Sequence, residues 1–384
     1  MATNVSDFKS AYRTPVESKF PTERITIFIG GKAHNFKPVS TSLRYGTNPN
    51  QSFNAYFPEK SSAYDAPIGN LEMLKGGKAG LSLTNLQDIS QAFNILKYFS
   101  EPACTIMKHL NPCGFKVRTK GESLSEIYRA ARDCDKRSAF GGVVSFIGSV
   151  DKYTAQDIME SFTEVVVATS YHPEALEILS SGKKINKEIR LIQVANQTQS
   201  PKFIGDDLNG YFNIRTLADG TLTLETPFLT RIKSSADFIT DPMIPNTDPA
   251  RNNGQDYVAT ARPTEQQLAD ALTSWYLNIN TRSNGVVFVK DGMALAVGTG
   301  EQERIGAVEK AIDKAKKKGH NLEGAVMSSD GFFPSRDCID AVAAEGVKAV
   351  VWPAGSMNDA EVIDAANQHG IAMLATLERC FAHF

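Results

Sequence analysis

The sequence predicts an α/β fold of two similar units on either side of an irregular middle segment. Three observations carry this. Amphipathic helix patterns alternate with short apolar strand patterns from about Asn85, the alternation breaks over 185–250, and it resumes from Pro263 to the last residue. Continuous runs such as "EVVVATS" and "VKAVVWP" imply parallel strands covered on both faces.

The elements follow in order. "RITIFIG" reads as a strand ended by a Gly-Gly turn. Leu86, Ile89, Phe93 and Leu96 share one helix face, with Thr84 or Asn85 as the cap. "ACTIM" is a strand and "SLSEIYRAARDC" a helix. "GGVVSFIG", "DKYTAQDIMES", "EVVVATS" and "PEALEILSS" continue as strand, helix, strand and helix. The middle contains "RLIQVANQ", a hairpin at "ADGTLTLET", and a long polar loop "DPMIPNTDPARNNGQD". Thr264 and Gln267 form a capping box that opens the next helix. "NGVVFVKDGMALAVG" is two strands about an Asp-Gly turn, and the helix after it stops at Gly319. "GAVMSS", "RDCIDAVAAEG", "VKAVVWP", "DAEVIDAANQHG" and "IAMLAT" then alternate strand and helix.

The 384 residues are 42% hydrophobic and 22% charged, a globular composition long enough for two or three structural units. The net charge of −2 supplies no bulk field for nucleic acid or an anionic membrane, so neither is an expected partner. No apolar run approaches the roughly 18 residues of a membrane span. The start "MATNVSDFKSAYR" has no signal-peptide core. Five cysteines without CxxC pairing fit neither a disulfide framework nor a zinc site, and a reducing cytoplasm is expected.

Chemistry is expected beyond the carboxyl ends of strands. Polar or Gly-rich turns fall there at "KHLNPCG", "SSDGFFPSRD", "PAGSMND" and "GTGEQER". There is no Walker motif, GxGxxG, G-x-S-x-G or H-E-x-x-H. Lys108 and His109 stand out, because a neutral histidine accepts a proton near pH 7 and a neighbouring lysine can supply one. The Asn111, Pro112 and Gly114 stretch reads as the turn that aims them.

The segments "LRYGTNPNQ" (43–51), "LTNLQD" (83–88), "KHLNPCG" (108–114), "SAFGG" (138–142), "SNGVVF" (283–288), "GTGEQER" (298–304), "SSDGFFPSRD" (328–337) and "LERCFAHF" (377–384) run in one order over nearly nine-tenths of the chain. Together they resemble the aminoimidazole carboxamide ribonucleotide (AICAR) formyltransferase family of purine biosynthesis. The resemblance implies two cytidine-deaminase-like three-layer units, at 42–195 and 259–384, with an N-terminal arm at 1–41 and an irregular connection at 196–258. It implies transfer of a formyl group from 10-formyltetrahydrofolate to the AICAR 5-amino group. It also implies a homodimer with shared active sites, no catalytic metal, and room for a monovalent cation. Some forty residues precede "LRYG", so a form without the IMP cyclohydrolase domain is expected, served by a separate cyclohydrolase.

Carried over by position, His109 is the general base, Lys108 serves the departing folate nitrogen, and Asn284 hydrogen-bonds the formyl oxygen. Arg44, Lys183 (with Lys184 as the alternative match) and Arg379 are the phosphate cations. Tyr45 and Phe332 flank the imidazole, and Asn85, Gly141 and Glu164 hold base or ribose. Arg304 and Asp337 contact substrate or folate, with helix capping the alternative for Asp337. Four positions depart from the family pattern: Asn50 for His, Glu301 for Gln, Gly331 for Ala, and Ser335 for an aromatic. Glu301 and Ser335 motivate a rival enzyme with another formyl donor. A non-catalytic nucleotide-binding subunit is the second rival.

Overall fold

The computed structural model describes residues 16–17, 19–59, 67–77, 79–182, 185–195, 197–208 and 211–384. In chain order the N-terminal strands are β1 (Ile25–Ile29), β2 (Lys32–Pro38), β3 (Tyr56–Pro58) and β4 (Glu72–Gly76). A first run begins with α1 (Leu83–Leu96), β5 (Ala103–Lys108), β6 (Asn111–Val117) and α2 (Leu124–Cys134). It continues with β7 (Val143–Ile147), α3 (Lys152–Ile158), β8 (Val165–Ala168), α4 (Pro173–Ser180) and β9 (Arg190–Gln193). The expected hairpin is present as β10 (Asn213–Thr216) and β11 (Leu222–Glu225). A second run begins with α5 (Glu265–Asn278), β12 (Val286–Lys290), β13 (Met293–Gly298) and α6 (Arg304–Lys318). Then come β14 (Val326–Ser329), α7 (Asp337–Ala344), β15 (Ala349–Trp352), α8 (Asp359–His369) and β16 (Ala372–Ala375).

These longer elements make the two runs match one for one. In each, the last three strands are parallel, and the first strand pairs antiparallel with the strand after the second helix. The parallel pairing expected from the Val/Ile runs is present at β8 and β15, within a mixed sheet in which β5 and β12 run antiparallel to β7 and β14. A fully buried strand reads the same in either direction, because burial and not orientation sets its composition.

The match extends to single residues at one constant separation along the chain. Ser82 and Thr264 cap α1 and α5, with Asn85 and Gln267 closing the two capping boxes. Ser82 thus replaces the Thr84 or Asn85 cap expected from sequence. Asp88 and Asp270 follow, then Lys108 and Lys290 at strand ends. His109–Leu110 and Asp291–Gly292 are the next pair, each a two-residue connection with positive φ at both positions.

Packing divides the chain into two compact units. The first holds the described residues up to His109, with Leu124–Tyr128 and Ala139–Leu229; the second holds Leu110–Ser123, Arg129–Ser138 and Thr230–Phe384. The units do not follow the linear spans 42–195, 196–258 and 259–384, since β6 pairs with β13 at Lys116 and Met293. Val144, Phe146, Val166 and Leu191 lie at the heart of the first unit's core. Phe288, Phe333, Trp352 and Ile363 do so in the second. The polar stretch 241–256 holds a short strand at Met243–Ile244, paired with Tyr257–Val258.

Asp340 on α7 accepts from Arg336 at 2.8 and 2.9 Å and meets His369 Nε2 at 2.7 Å. Arg336 first, then His369, hold its pKa at about 2, below the ordinary 3.8. The stabilisation is thus complete above pH 3.8 and is lost as pH falls through 2. The group is half-exposed, so the effect is about 1 kcal/mol or less and salt-sensitive. Asp340→Asn should lower the denaturation midpoint more at pH 5 than at pH 2.

Candidate active site

In the first unit the site begins where residues 42–45 lie along 80–83. Leu81 N–H donates to Ser42 O at 3.0 Å, Arg44 N–H to Leu81 O at 2.8 Å, and Leu83 N–H to Tyr45 O at 3.0 Å. The approach requires glycine at 80: its φ is +74°, and a Cβ there would stand 2.1 Å from Ser42 O. Arg44 is thereby set beside the N-terminus of α1. Its Nη2 reaches Asn85 Oδ1 at 3.5 Å, and Asn85 Nδ2 donates to Glu164 Oε2 at 3.0 Å. Asn85 Oδ1 also accepts from Ser82 N–H at 3.2 Å. One buried amide therefore closes the capping box and joins an arginine to a carboxylate. Tyr45 is only 7% exposed, its ring centroid 4.5 Å from the Arg44 guanidinium carbon, so it backs Arg44.

Lys108 ends β5, and its Nζ donates to Phe140 O at 2.5 Å. Gly141 follows at φ +74°, its N–H bonded to Phe162 O at 2.7 Å. The registers Met107–Val143, Val143–Val165 and Val165–Arg190 put Lys108, Gly141, Glu164 and Arg190 at one end of the strands. That end is the carboxyl end of β5 but the amino end of β7, β8 and β9. Gly141 and Glu164 come to the same end as Lys108 because β5 runs against the other three.

His109 is exposed at φ +56°, and Leu110 follows at φ +67°. The Asn111–Gly114 stretch is not a turn: it opens β6, and only His109 and Leu110 make the connection. At the matching place the second run has Asp291–Gly292, an inexpensive pair for φ above zero. A leucine there costs about 1–2 kcal/mol. Backbone cost of this kind concentrates at functional positions.

The second unit gathers another polar group. Asn284 Nδ2 donates to Glu301 O at 2.9 Å, and the Ser283–Asn284 peptide is cis. The fully buried Asp330 accepts from Ser283 Oγ at 2.6 Å and Gly285 N–H at 2.9 Å, and pairs with Arg304 Nη1. Arg304 is itself buried, with its guanidinium carbon 5.9 Å from the Phe381 ring centroid. The registers Val286–Gly298 and Val286–Ser329 place these residues at the carboxyl ends of β13 and β14. Phe332 is 43% exposed beside the fully buried Phe333. Arg379 is exposed, 4.7 Å from the Phe381 centroid, between Glu378, which accepts from Arg231 N–H, and Cys380, whose N–H reaches Asp330 O. Asp337 is exposed at the start of α7, and its carboxylate accepts the Cys338 N–H at 2.8 Å. The Glu301 carboxylate, a departure from the family pattern, is paired with Lys310.

Arg44, Tyr45, Asn85, Lys108, His109, Gly141 and Glu164 thus belong to one unit, and Asn284, Arg304, Phe332, Asp337 and Arg379 to the other. Lys183 and Lys184 lie outside the described residues. Sequence reasoning missed two residues. Arg190 opens β9, donates from Nε to Gly80 O at 2.5 Å, and feels the charges of Arg44 and Glu164. Burial first, and the like charge of Arg44 second, press its pKa below the ordinary value. Asp330 sat unnoticed inside a quoted motif. The signal in both is a charged residue abutting an apolar strand. Among the described residues, no cluster of three or more His, Cys, Asp or Glu is placed to hold a metal, and no helix is long and apolar enough to cross a membrane.

Known proteins place this geometry in context. A family model described as AICARFT/IMPCHase bienzyme matches residues 2–314. The bifunctional purine biosynthesis protein PurH of Caldicellulosiruptor saccharolyticus is 34% identical over 353 residues, covering 90% of this chain and 60% of that protein. PurH of Clostridium perfringens is 33% identical over 383 residues, covering 100% and 66%. The chain spans no more than 66% of the length of these two relatives. Among solved structures, a dCMP deaminase of cyanophage S-TIM5 is 22% identical over 29% of this chain and 98% of that one, with a TM-score of 0.22, which carries no argument about fold. The family match rests on sequence along most of the chain, and by it the chain belongs to the AICARFT/IMPCHase bienzyme family.

Proposed function

We propose that this chain transfers a formyl group from 10-formyltetrahydrofolate to the 5-amino group of AICAR, on a pair of cytidine-deaminase-like units. The observation that carries the reading is the His109–Leu110 connection, which keeps two non-glycine residues at positive φ where the matching run uses Asp-Gly. The AICAR amine is a weak nucleophile because its lone pair is drawn into the ring and carboxamide. As its nitrogen bonds to the formyl carbon, His109 takes the amine proton. The C–N10 bond then breaks, and Lys108 helps protonate N10 as tetrahydrofolate leaves. Such proton transfer is worth about two to four orders of magnitude.

Asn284 has two amide protons, of which one goes to Glu301 O. The other serves the oxyanion that forms from the formyl oxygen. Arg44, held by Asn85, suits a monophosphate, as do Lys183 and Arg379. We further propose a homodimer whose active sites draw on both subunits, a cytoplasmic setting, and a product that serves an IMP cyclohydrolase. A bound monovalent cation belongs to the same proposal, as does chemistry without a catalytic metal.

The rival with another formyl donor rests on Ser335 and Glu301. The Glu301–Lys310 pair weakens it, because the extra charge is already compensated. Glu301→Gln should therefore change the folate KM by less than about fivefold, the worth of an exposed pair. A larger change would mean that Glu301 faces the donor. The deciding assay compares formyl-AICAR formation from 10-formyltetrahydrofolate with formation from formate plus ATP. Turnover with the folate alone is expected, and turnover only with formate and ATP would overturn the reading.

A further inference from the structure

We infer that Asp330 is the positioning residue for the Asn284 amide, acting through the two residues on either side of it. Its carboxylate accepts from Ser283 Oγ at 2.6 Å and from Gly285 N–H at 2.9 Å, so it grips the chain immediately before and after Asn284. The grip is reinforced by backbone contacts, since Asp330 N–H donates to Gly285 O at 3.1 Å and Cys380 N–H to Asp330 O at 3.0 Å.

Gly285 leaves no room for slack. A Cβ at this position would lie 2.5 Å from Asn278 Oδ1, and Asn278 Nδ2 donates to Gly285 O at 3.2 Å. Arg304 Nη1 occupies the other carboxylate oxygen of Asp330 and supplies the counter-charge that a fully buried carboxylate requires. On the far side, Glu301 O receives both Asn284 N–H at 3.4 Å and Asn284 Nδ2 at 2.9 Å. The amide plane is therefore fixed before substrate arrives, with one of its two protons committed to Glu301 O. An oxyanion donor contributes most when it is held in place in advance. Arg304 then acts here as the counter-ion of the clamp, and its Nε has no hydrogen-bond partner among the described residues.

The inference rests on the proposed formyl transfer for its kinetic consequence but not for its structural one, so the test has two arms in the full-length protein. In the first, hydrogen exchange is followed over residues 282–286. Asp330→Asn should speed exchange of the Gly285 amide at least about 100-fold, because a buried bonded N–H becomes free to open. In the second, Asp330→Asn, Asn284→Ala and the double variant are compared for formyl transfer. Asp330→Asn should lower kcat about 10- to 100-fold with the AICAR KM nearly unchanged, and should add little once Asn284 is alanine.

Should Asp330→Asn fail to fold, Ser283→Ala removes one bond of the clamp while leaving the Arg304 pair intact. It should show a smaller loss with the same non-additivity. Unchanged Gly285 exchange, or losses that multiply in the double variant, would overturn the inference. A wild-type chain with no formyl transfer would instead sink the proposed function, and the exchange arm would still decide the role of Asp330.

Discussion

His109→Asn is expected to keep its stability within about 0.5 kcal/mol of wild type and to lose about two to four orders of magnitude in formyl transfer. The side chain is exposed and φ is +56°, so asparagine fills the position without a packing loss or a backbone penalty. The substitution removes the imidazole that accepts the proton. Denaturation midpoints and single-turnover rates on the same preparations separate the two effects. A large drop in stability would assign His109 a structural task, and an unchanged rate would remove it from the chemistry.

The second large effect is expected at Asn85. Asn85→Ala removes the N-terminal closure of α1 and strips partners from Arg44 and Glu164 at once. The Ser82 side-chain cap remains, so the cost comes from the bonds taken from Ser82 N–H, Arg44 and Glu164, about 2–3 kcal/mol together. The AICAR KM should rise about tenfold as Arg44 loses its anchor. Gln267→Ala is the built-in control, because Gln267 closes the same capping box in the second run, where no arginine or carboxylate depends on it among the hydrogen bonds described. It should cost about 1 kcal/mol or less. Equal losses at both positions would mean that Asn85 is a cap and nothing more.

The contrast between these two positions shows what could be read from sequence and what could not. Helix period, turn residues and caps are local signals, so α5 with its Thr264 box and the Asp291–Gly292 turn were legible in advance. The duplication was legible as a rhythm, yet its residue-by-residue correspondence was hidden. Asp88 and Asp270 hold the same place, while most of their neighbours differ in type. The direction of β5 was not legible, because Ala103–Met107 is buried throughout and carries no mark of orientation. That is why the meeting of Lys108, at a carboxyl end, with Gly141 and Glu164, at amino ends, could not be read in advance.

The turn at 109–110 was misplaced for a related reason. Pro112 and Gly114 are common turn residues, and composition gave them precedence over His109 and Leu110. The backbone does the opposite: proline and glycine enter β6, and the histidine and leucine take the positive φ values. Local preference was set aside at the position where the proposed reaction needs a titratable side chain. Conflict of that kind is expected where function outweighs local stability.

The most direct test of the account is chemical rescue of His109→Gly. With saturating AICAR and 10-formyltetrahydrofolate, the account predicts a transfer rate about two to four orders of magnitude below wild type, rising with added imidazole in proportion to its free-base concentration. A His109→Gly enzyme that transfers formyl at the wild-type rate without imidazole would contradict it.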